Sequence, residues 1–147
     1  KQLNHRLHSP FEYHKARYPK HKAPRQLAAV EAAGDTKDAV VEADPTHFSN
    51  VIGNLIDNSI KYSGDSVKIA IKLDSTGLSV SDNGIGIPEK SLPDIWSKFY
   101  RVPHGNRTDV RGYGIGLFYV KSIIEKHGWN ISVVSRQGKG SIFTIKF

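Results

Sequence analysis

The sequence predicts an α/β fold, a two-layer α/β sandwich in which a mixed sheet of about five strands is covered on one face by helices and flanked by a flexible lid. Apolar residues recur at helical spacing in residues 44–63 and again in 115–124. They alternate with polar residues in 67–73 and 78–81, as in half-buried strands. Residues 101–114 have little apolar content and predict a long surface loop.

Composition limits the kind of protein this is. The chain has 147 residues, enough for one domain with a sizeable core. It has no apolar run of about 18 residues, so no membrane-spanning segment is expected. It has no cysteine, which excludes disulfides and thiolate metal sites and fits a reducing, cytoplasmic environment.

Charge is uneven along the chain. Residues 1–26 carry a net charge of +6, whereas residues 27–147 carry only +1. We interpret 1–26 as a basic N-terminal lead-in or the end of an upstream module, and 27–147 as the domain. Three prolines interrupt the basic segment and it matches no nucleic-acid-binding signature, so no nucleic-acid partner is expected.

The first elements are short. Residues 26–33 and 38–42 predict two strands with a turn at Gly34-Asp35 between them. The apolar run 39–41 fits a buried strand that leads into the first helix.

That helix, within residues 44–63, has two contrasting faces. Asp44 followed by Pro45 is a favourable start, because the aspartate caps free amides and proline tolerates the first helical position. The apolar face comprises Phe48, Val51, Ile52, Leu55, Ile56 and Ile60. Asn50, Asn54 and Asn58 follow one another at successive turns of the other face. Asparagine is a poor helix former, so this row is either a solvated face or a set of carboxamides kept for binding.

The remaining elements follow in order. Residues 67–73 and 78–81 predict a hairpin that turns at 74–77, and Pro88 predicts the start of a short helix carrying Leu92 and Ile95. A second amphipathic helix begins near Ile115 and ends near His127-Gly128. Residues 131–135 and 141–147 predict a closing strand pair with a turn at Gln137-Gly138.

Five short motifs stand in one order along these elements. They are Asn54 to Tyr62, Asp82 to Gly86, Ile95 to Arg101, Gly112 to Leu117, and Gly138 to Phe143. In this order and spacing the chain resembles the ATP-binding catalytic domain of sensor histidine kinases, in the superfamily shared with DNA gyrase, the ninety-kilodalton heat-shock chaperone and the MutL proteins. The resemblance covers about residues 39–147 and implies an α/β sandwich with ATP between helices and a flexible lid at about 102–112.

The resemblance implies roles for the asparagine helix. Asn58 would ligate the Mg²⁺ that bridges the phosphates, which suits a hard cation that prefers oxygen donors and keeps several waters. Asn54 would lie near the phosphates and act in catalysis. Lys61 would add positive charge, and Tyr62 would contact adenine and ribose or, alternatively, pack on the sheet.

The resemblance implies that Asp82 recognises the adenine base of ATP. An ionised carboxylate only accepts hydrogen bonds, so it pairs with the exocyclic amine of adenine and disfavours guanine. The alternative is an Asx turn that caps the loop. The resemblance adds three kinds of contact to the base: close backbone approach at Gly84 and Gly86, apolar walls at Ile87 and Leu117, and a hydroxyl at Ser141 that touches the base through water.

The phosphates of ATP would lie at the N-terminus of the second helix. Gly112, Gly114 and Gly116 precede the second helix, where free amides and the helix dipole favour anions. Arg101 matches an arginine that approaches the terminal phosphate and contributes to catalysis. Trp96 and Trp129 depart from the usual pattern, in which phenylalanine and glycine are common at these positions.

The function implied is that of a protein-histidine kinase of a two-component system. Such a domain binds Mg·ATP and donates the γ-phosphate to a histidine on a separate dimerising helical domain, from which a response regulator is phosphorylated. The usual motif around such an acceptor histidine, Ser-His-Glu/Asp-Leu-Arg-x-Pro, is absent from this sequence. The alternatives are an ATP-hydrolysing relative or a binding-only pseudokinase. Related hydrolases carry a catalytic glutamate where this chain has Asn54, and the intact Asn58 and Asp82 argue against a pseudokinase.

Overall fold

The computed structural model describes residues 27–33, 41–64, 66–103 and 112–147. Its strands are β1 (Leu27–Ala33), β2 (Val67–Asp74), β3 (Gly77–Asp82), β4 (Asn130–Arg136) and β5 (Gly140–Lys146). Its α-helices are α1 (Pro45–Lys61) and α2 (Gly116–Lys126), and a single 3₁₀ turn spans Glu89–Ser91. The basic segment 1–26 and most of the expected lid lie outside the described residues.

The five strands form one mixed sheet in the order β1-β2-β3-β5-β4. β1 and β2 are parallel, and the other three neighbouring pairs are antiparallel. Both helices pack on the same face of the sheet, where their buried residues join one core with those of the strands. Along β2 and β3, residues that point to this face are buried and alternate with more exposed residues that point away from it. The expected two-layer α/β sandwich with a five-stranded mixed sheet is therefore confirmed.

The register aligns apolar side chains into rows beneath the helices. Ile71 pairs with Val80, Val80 with Phe143, and Phe143 with Val133, so one row crosses four strands. Val51, Leu55 and Ile56 of α1 are buried in the same core, and Phe48 is buried against the rings of Trp129 and Phe147. Ile52 and Ile60, which the helical pattern also placed on the apolar face, are partly buried against the same core.

The predicted helix boundaries agree with the structure. The side chain of Asp44 accepts a hydrogen bond of 2.9 Å from the His47 amide, and proline occupies the first helical position of α1. α2 ends at Lys126, and Gly128 follows with a φ of 74°, a conformation that glycine adopts without strain. No helix in the described part of the chain is long and apolar enough to cross a membrane.

Two expected elements differ. Residues 38–40 lie outside the described residues, and Val41 and Glu42 are not in a strand, so the second short strand is not present there. The helix expected after Pro88 is only a 3₁₀ turn, followed by further turns that bury Ile95. Trp129 fills a corner beneath α1, with its ring 5.8 Å from that of Phe48 and 4.8 Å from that of Phe147.

Candidate functional site

A cavity of about 670 Å³ lies between α1, the start of α2 and the ends of β3 and β5. This volume is in the range of pockets that hold small molecules. Thirteen of the fourteen nucleotide-binding residues expected from the sequence line it: Asn54, Asn58, Lys61, Tyr62, Asp82, Gly86, Ile87, Arg101, Gly112, Gly114, Gly116, Leu117 and Ser141. The fold thus brings together residues that stand up to 87 positions apart.

Asp82 lies at one end of the cavity, at the last position of β3. Its Oδ1 accepts a hydrogen bond of 2.8 Å from the Gly84 amide, and its Oδ2 lies 3.2 Å from the Ser59 hydroxyl. Burial raises the pKa of the Asp82 carboxyl, and hydrogen bonds from Gly84, Ser59 and the Ser141 amide partly offset this rise. The site therefore holds one acceptor-rich side chain in a largely desolvated place.

Gly84 has a different position from the one expected, since it is not among the residues that line the cavity. A Cβ there would stand 2.6 Å from the Tyr62 carbonyl oxygen and 2.8 Å from Asp82 Oδ1. The adjacent Ile85 amide donates to that same carbonyl oxygen at 2.9 Å. Gly84 therefore permits the turn to pack against the end of α1, rather than letting backbone approach a ligand directly.

Gly140 holds the neighbouring strand close to Asp82. Its φ of 97° lies in the left-handed region, and a Cβ there would stand 2.0 Å from the Asp82 carbonyl oxygen. Gly86 is constrained similarly, because its Cβ would stand 2.1 Å from the Arg136 carbonyl oxygen. These two glycines let β5 and the β4–β5 turn approach the loop that follows β3.

A hydroxyl pair supports this end of the cavity. The Ser141 hydroxyl, expected near the base, lies 2.8 Å from the Ser135 hydroxyl, which also donates to the Gly140 carbonyl oxygen at 3.0 Å. The Ile87 amide in turn donates to the Ser135 hydroxyl at 2.8 Å. Ser135 therefore connects the loop after β3 to β5 and orients Ser141 toward the cavity.

The polar end of the cavity is formed by the asparagine face of α1 and by the glycines before α2. Asn54 Nδ2 donates to the Asn50 carbonyl oxygen at 2.8 Å. Asn54 Oδ1 faces Gly116, where a Cβ would stand only 2.9 Å away. The Lys61 ammonium lies 3.6 Å from the Cβ position of Gly112. Carboxamide oxygens and a cation therefore stand beside the N-terminus of an eleven-residue helix.

The donor set at this end fits a hard divalent cation. Asn58, whose carboxamide carries a neutral oxygen, lines the cavity one helical turn from Asn54. Mg²⁺ needs few protein ligands when phosphate oxygens and water complete its octahedron. Among the described residues no cluster of three or more His, Cys, Asp or Glu side chains could hold a metal by itself. Asn58 would hold such an ion together with a ligand's phosphates.

Sequence reasoning did not assign six further lining residues to the site: Ile95, Tyr100, Val102, Tyr113, Ile115 and Phe143. Ile95 and Phe143 belong to the core and reach the cavity from beneath. Trp96 packs edge-on against Phe143, with ring centroids 6.1 Å apart, so the unusual tryptophan supports the cavity floor. The sequence pattern predicts that Ile95 and Phe143 are buried, but it carries no signal that separates a cavity wall from an ordinary core position.

Comparison with known proteins gives a family match. The model of the Histidine kinase-, DNA gyrase B-, and HSP90-like ATPase family matches residues 43–147. Sensor protein RprX of Bacteroides fragilis is 36% identical over 130 residues, which cover 84% of this chain and 25% of that protein. Sensor histidine kinase WalK of Bacillus subtilis is 33% identical over 114 residues, or 74% of this chain and 19% of that protein. The chain thus spans about a quarter or less of these relatives.

A solved structure supports the same assignment. The nucleotide-free catalytic domain of histidine kinase ThkA is 30% identical to this chain, with a TM-score of 0.60. The superposition covers 80% of this chain and 76% of that domain. The cytoplasmic segment of histidine kinase QseC, at 17% identity and a TM-score of 0.60, shares the fold and covers 93% of this chain.

Proposed function

Because the chain belongs to the Histidine kinase-, DNA gyrase B-, and HSP90-like ATPase family and is a catalytic ATP-binding domain of the histidine kinase type, we propose that it binds Mg·ATP and donates the γ-phosphate to a histidine. The acceptor histidine belongs to a dimerising helical domain of the parent protein. A response regulator then receives the phosphoryl group from that histidine. The parent is a two-component sensor whose catalytic part works in the cytoplasm.

The observation that carries the proposal is that the 670 Å³ cavity combines a hydrogen-bond acceptor beside apolar residues with carboxamides and a cation beside a helix start. Asp82, a hydrogen-bond acceptor, lies at the end lined by Ser141 and Ile87, because the Ser141 amide donates to Asp82 and Ser135 joins Ser141 to Ile87. Asn54 faces Gly116 and Lys61 faces Gly112, at the glycine-rich start of α2, and Asn58 lines the cavity one helical turn from Asn54 toward Asp82. An apolar wall with a half-buried acceptor suits adenine, whereas carboxamides, a cation and free helix amides suit a metal-bridged triphosphate.

The reaction needs little covalent help from this chain. A ring nitrogen of the acceptor imidazole uses its lone pair to bond the γ-phosphorus, and the bond from that phosphorus to the β–γ bridging oxygen breaks. The electron pair leaves with ADP, and the proton of the imidazole passes to a carboxylate on the acceptor domain. Lys61 and Arg101 stabilise the charge that moves onto the bridging oxygen. Bound Mg²⁺ would add further charge neutralisation.

Asn54 favours phosphotransfer over hydrolysis. Water attack needs a positioned base, and a carboxamide does not take up a proton at neutral pH. In the structure, Asn54 Nδ2 is held by the Asn50 carbonyl oxygen, which leaves Oδ1 directed toward the start of α2. That oxygen can orient a neighbouring group by accepting a hydrogen bond, but it cannot activate water as a glutamate does.

The test is label transfer from γ-labelled ATP. The isolated chain should neither hydrolyse ATP rapidly nor label itself. Fusing it to the helical acceptor domain of its parent protein should produce label that is acid-labile and base-stable, as phosphohistidine is. Asn58→Ala in the fusion should abolish that label and serves as the negative control.

Each other outcome identifies a different function. Rapid hydrolysis by the isolated chain supports the ATP-hydrolysing alternative. Tight Mg·ATP binding without label in the fusion supports the pseudokinase. Stable label on one of the chain's own histidines places the acceptor inside this sequence.

A further inference from the structure

A second cavity, of about 320 Å³, lies between α1 and α2. Among the described residues it is lined by Asn50, Asn54, Ile115, Gly116 and Tyr119. Asn54, Ile115 and Gly116 also line the larger cavity. The two cavities are therefore contiguous, and their shared wall is the carboxamide and glycine pair at the polar end.

The direction of α1 decides which part of a bound nucleotide faces this second cavity. Ser59, near the C-terminal end of α1, contacts Asp82 at the base end. Asn58, Asn54 and Asn50 then follow toward the N-terminus, about 6 Å apart for each four residues. If Asn58 holds the metal ion and α1 runs along the nucleotide, Asn54 would be the residue beside the terminal phosphate. Asn50, one turn further on, therefore stands beyond the phosphate chain.

The outer edge of the second cavity is braced by a contact between the two helices. His47 Nδ1 and the Tyr119 hydroxyl are 2.8 Å apart, and their rings are tilted with centroids separated by 6.2 Å. This contact joins the first turn of α1 to the first turn of α2. It holds the Tyr119 ring in the wall of the cavity, which Asn50 also lines.

We propose that this second cavity, defined by Asn50, Ile115 and Tyr119, receives the acceptor imidazole, and that Asn50 and Tyr119 are positioning residues for it. The inference rests on the proposed function and names the acceptor side of the same site. An imidazole has one nitrogen that donates and one that accepts, and it stacks on aromatic rings. A carboxamide facing a tyrosine offers both kinds of contact, and the space exceeds what a single water needs.

The decisive experiment fills the cavity without touching the nucleotide. Asn50→Trp places a large ring in the second cavity, and Ser49→Trp places the same ring at the adjacent exposed position of α1, which lines neither cavity. Label transfer to the parent's acceptor domain, supplied separately at increasing concentration, gives kcat and the acceptor KM. ATP affinity and the thermal unfolding midpoint are measured on the same preparations.

Asn50→Trp should lower label transfer at subsaturating acceptor by about tenfold or more, mainly through the acceptor KM, and change ATP affinity by less than about twofold. Ser49→Trp should behave as wild type. Tyr119→Phe, which keeps the ring but removes the contact with His47, should raise the acceptor KM by a smaller factor. If Asn50→Trp does not fold, Tyr119→Ala provides the same test by removing the opposite wall, with a raised acceptor KM expected.

Two results would overturn the proposal while leaving the kinase function intact. One is wild-type transfer by Asn50→Trp or, where that variant does not fold, by Tyr119→Ala. The other is an equal loss in Ser49→Trp, which would place acceptor docking on the general surface of α1. Absence of transfer by the wild-type chain, in contrast, refutes the proposed function itself.

Discussion

Asp82→Asn is the sharpest perturbation of the base end of the cavity, because it changes one oxygen to an amide group without changing shape. Oδ1 of Asp82 accepts from the Gly84 amide at 2.8 Å, so an asparagine keeps its oxygen on that side. Its NH₂ then occupies the place of Oδ2, beside the Ser59 hydroxyl. Ser59 also donates to the Leu55 carbonyl oxygen at 3.1 Å, so its oxygen can accept from the new NH₂. The variant should therefore fold.

The substitution should lower the affinity for ATP rather than the stability of the fold. The NH₂ meets the exocyclic amine of adenine, donor against donor, where the carboxylate accepted a hydrogen bond. Loss of a hydrogen bond to a charged, largely desolvated group costs roughly 1–3 kcal/mol. That corresponds to an ATP affinity lower by roughly 5- to 150-fold. GTP, which has a carbonyl at that place, should bind the variant relatively better than it binds wild type.

Calorimetric titration of both proteins with ATP and with GTP, in Mg²⁺, measures these changes. Asp74→Asn is the matched control, because Asp74 is the exposed last residue of β2, accepts hydrogen bonds from Thr76 and lines neither cavity. It should leave both affinities unchanged. Equal affinity of wild type for ATP and GTP, or unchanged ATP binding by Asp82→Asn, would refute the assignment of Asp82 to adenine.

Three further predictions concern pH, the metal and the glycines. Since burial raises the pKa of Asp82 above its unfolded value, this group stabilises the empty fold most at pH below the unfolded pKa of about 3.9 and loses that contribution as the pH rises through the folded pKa. Asp82→Asn should therefore melt higher than wild type at neutral pH without ligand, and the gap should close in acid; a constant gap across a pH series of melting curves would contradict this. Asn58→Ala should lose about tenfold or more of its Mg²⁺-dependent ATP affinity in calorimetry and keep its melting transition, since alanine is the better helix former by roughly 0.5 kcal/mol; loss of the transition would make Asn58 structural. Gly140→Ala should lower the free energy of unfolding by about 2–5 kcal/mol in denaturant titrations, through positive φ and the Asp82 carbonyl together. Gly138→Ala, with a similar φ but no atom within 4 Å of its Cβ, should cost only about 1–2 kcal/mol, and equal losses would show that close packing at Gly140 adds nothing.

Local pattern was sufficient to predict most elements. The two faces of α1, its start at Asp44 and the alternation in β2 and β3 depend on neighbours a few residues apart, which the chain displays directly. The strand predicted at 38–42 is not present at Val41 and Glu42, the two residues of this range that the structure describes. A short apolar run carries no information about whether a partner strand is available. The parallel placement of β1 beside β2 at the sheet edge was likewise not predicted.

Amino-acid sequence alone determined which residue types are available for chemistry: the asparagine row on α1, the aspartate that ends β3 and the glycines that open α2. These signals are local. Each could be recognised in the sequence because its residues are energetically unfavourable or uncommon in a helix or strand. Only the tertiary structure decided which of them meet. Ser59 reaches Asp82, Ser135 reaches Ser141, and Gly140 lies against the Asp82 carbonyl because strand pairing brings distant segments within van der Waals contact. Such contacts depend on the order and register of the strands. Order and register are set by burial of the whole core, so no single residue in the sequence indicates them.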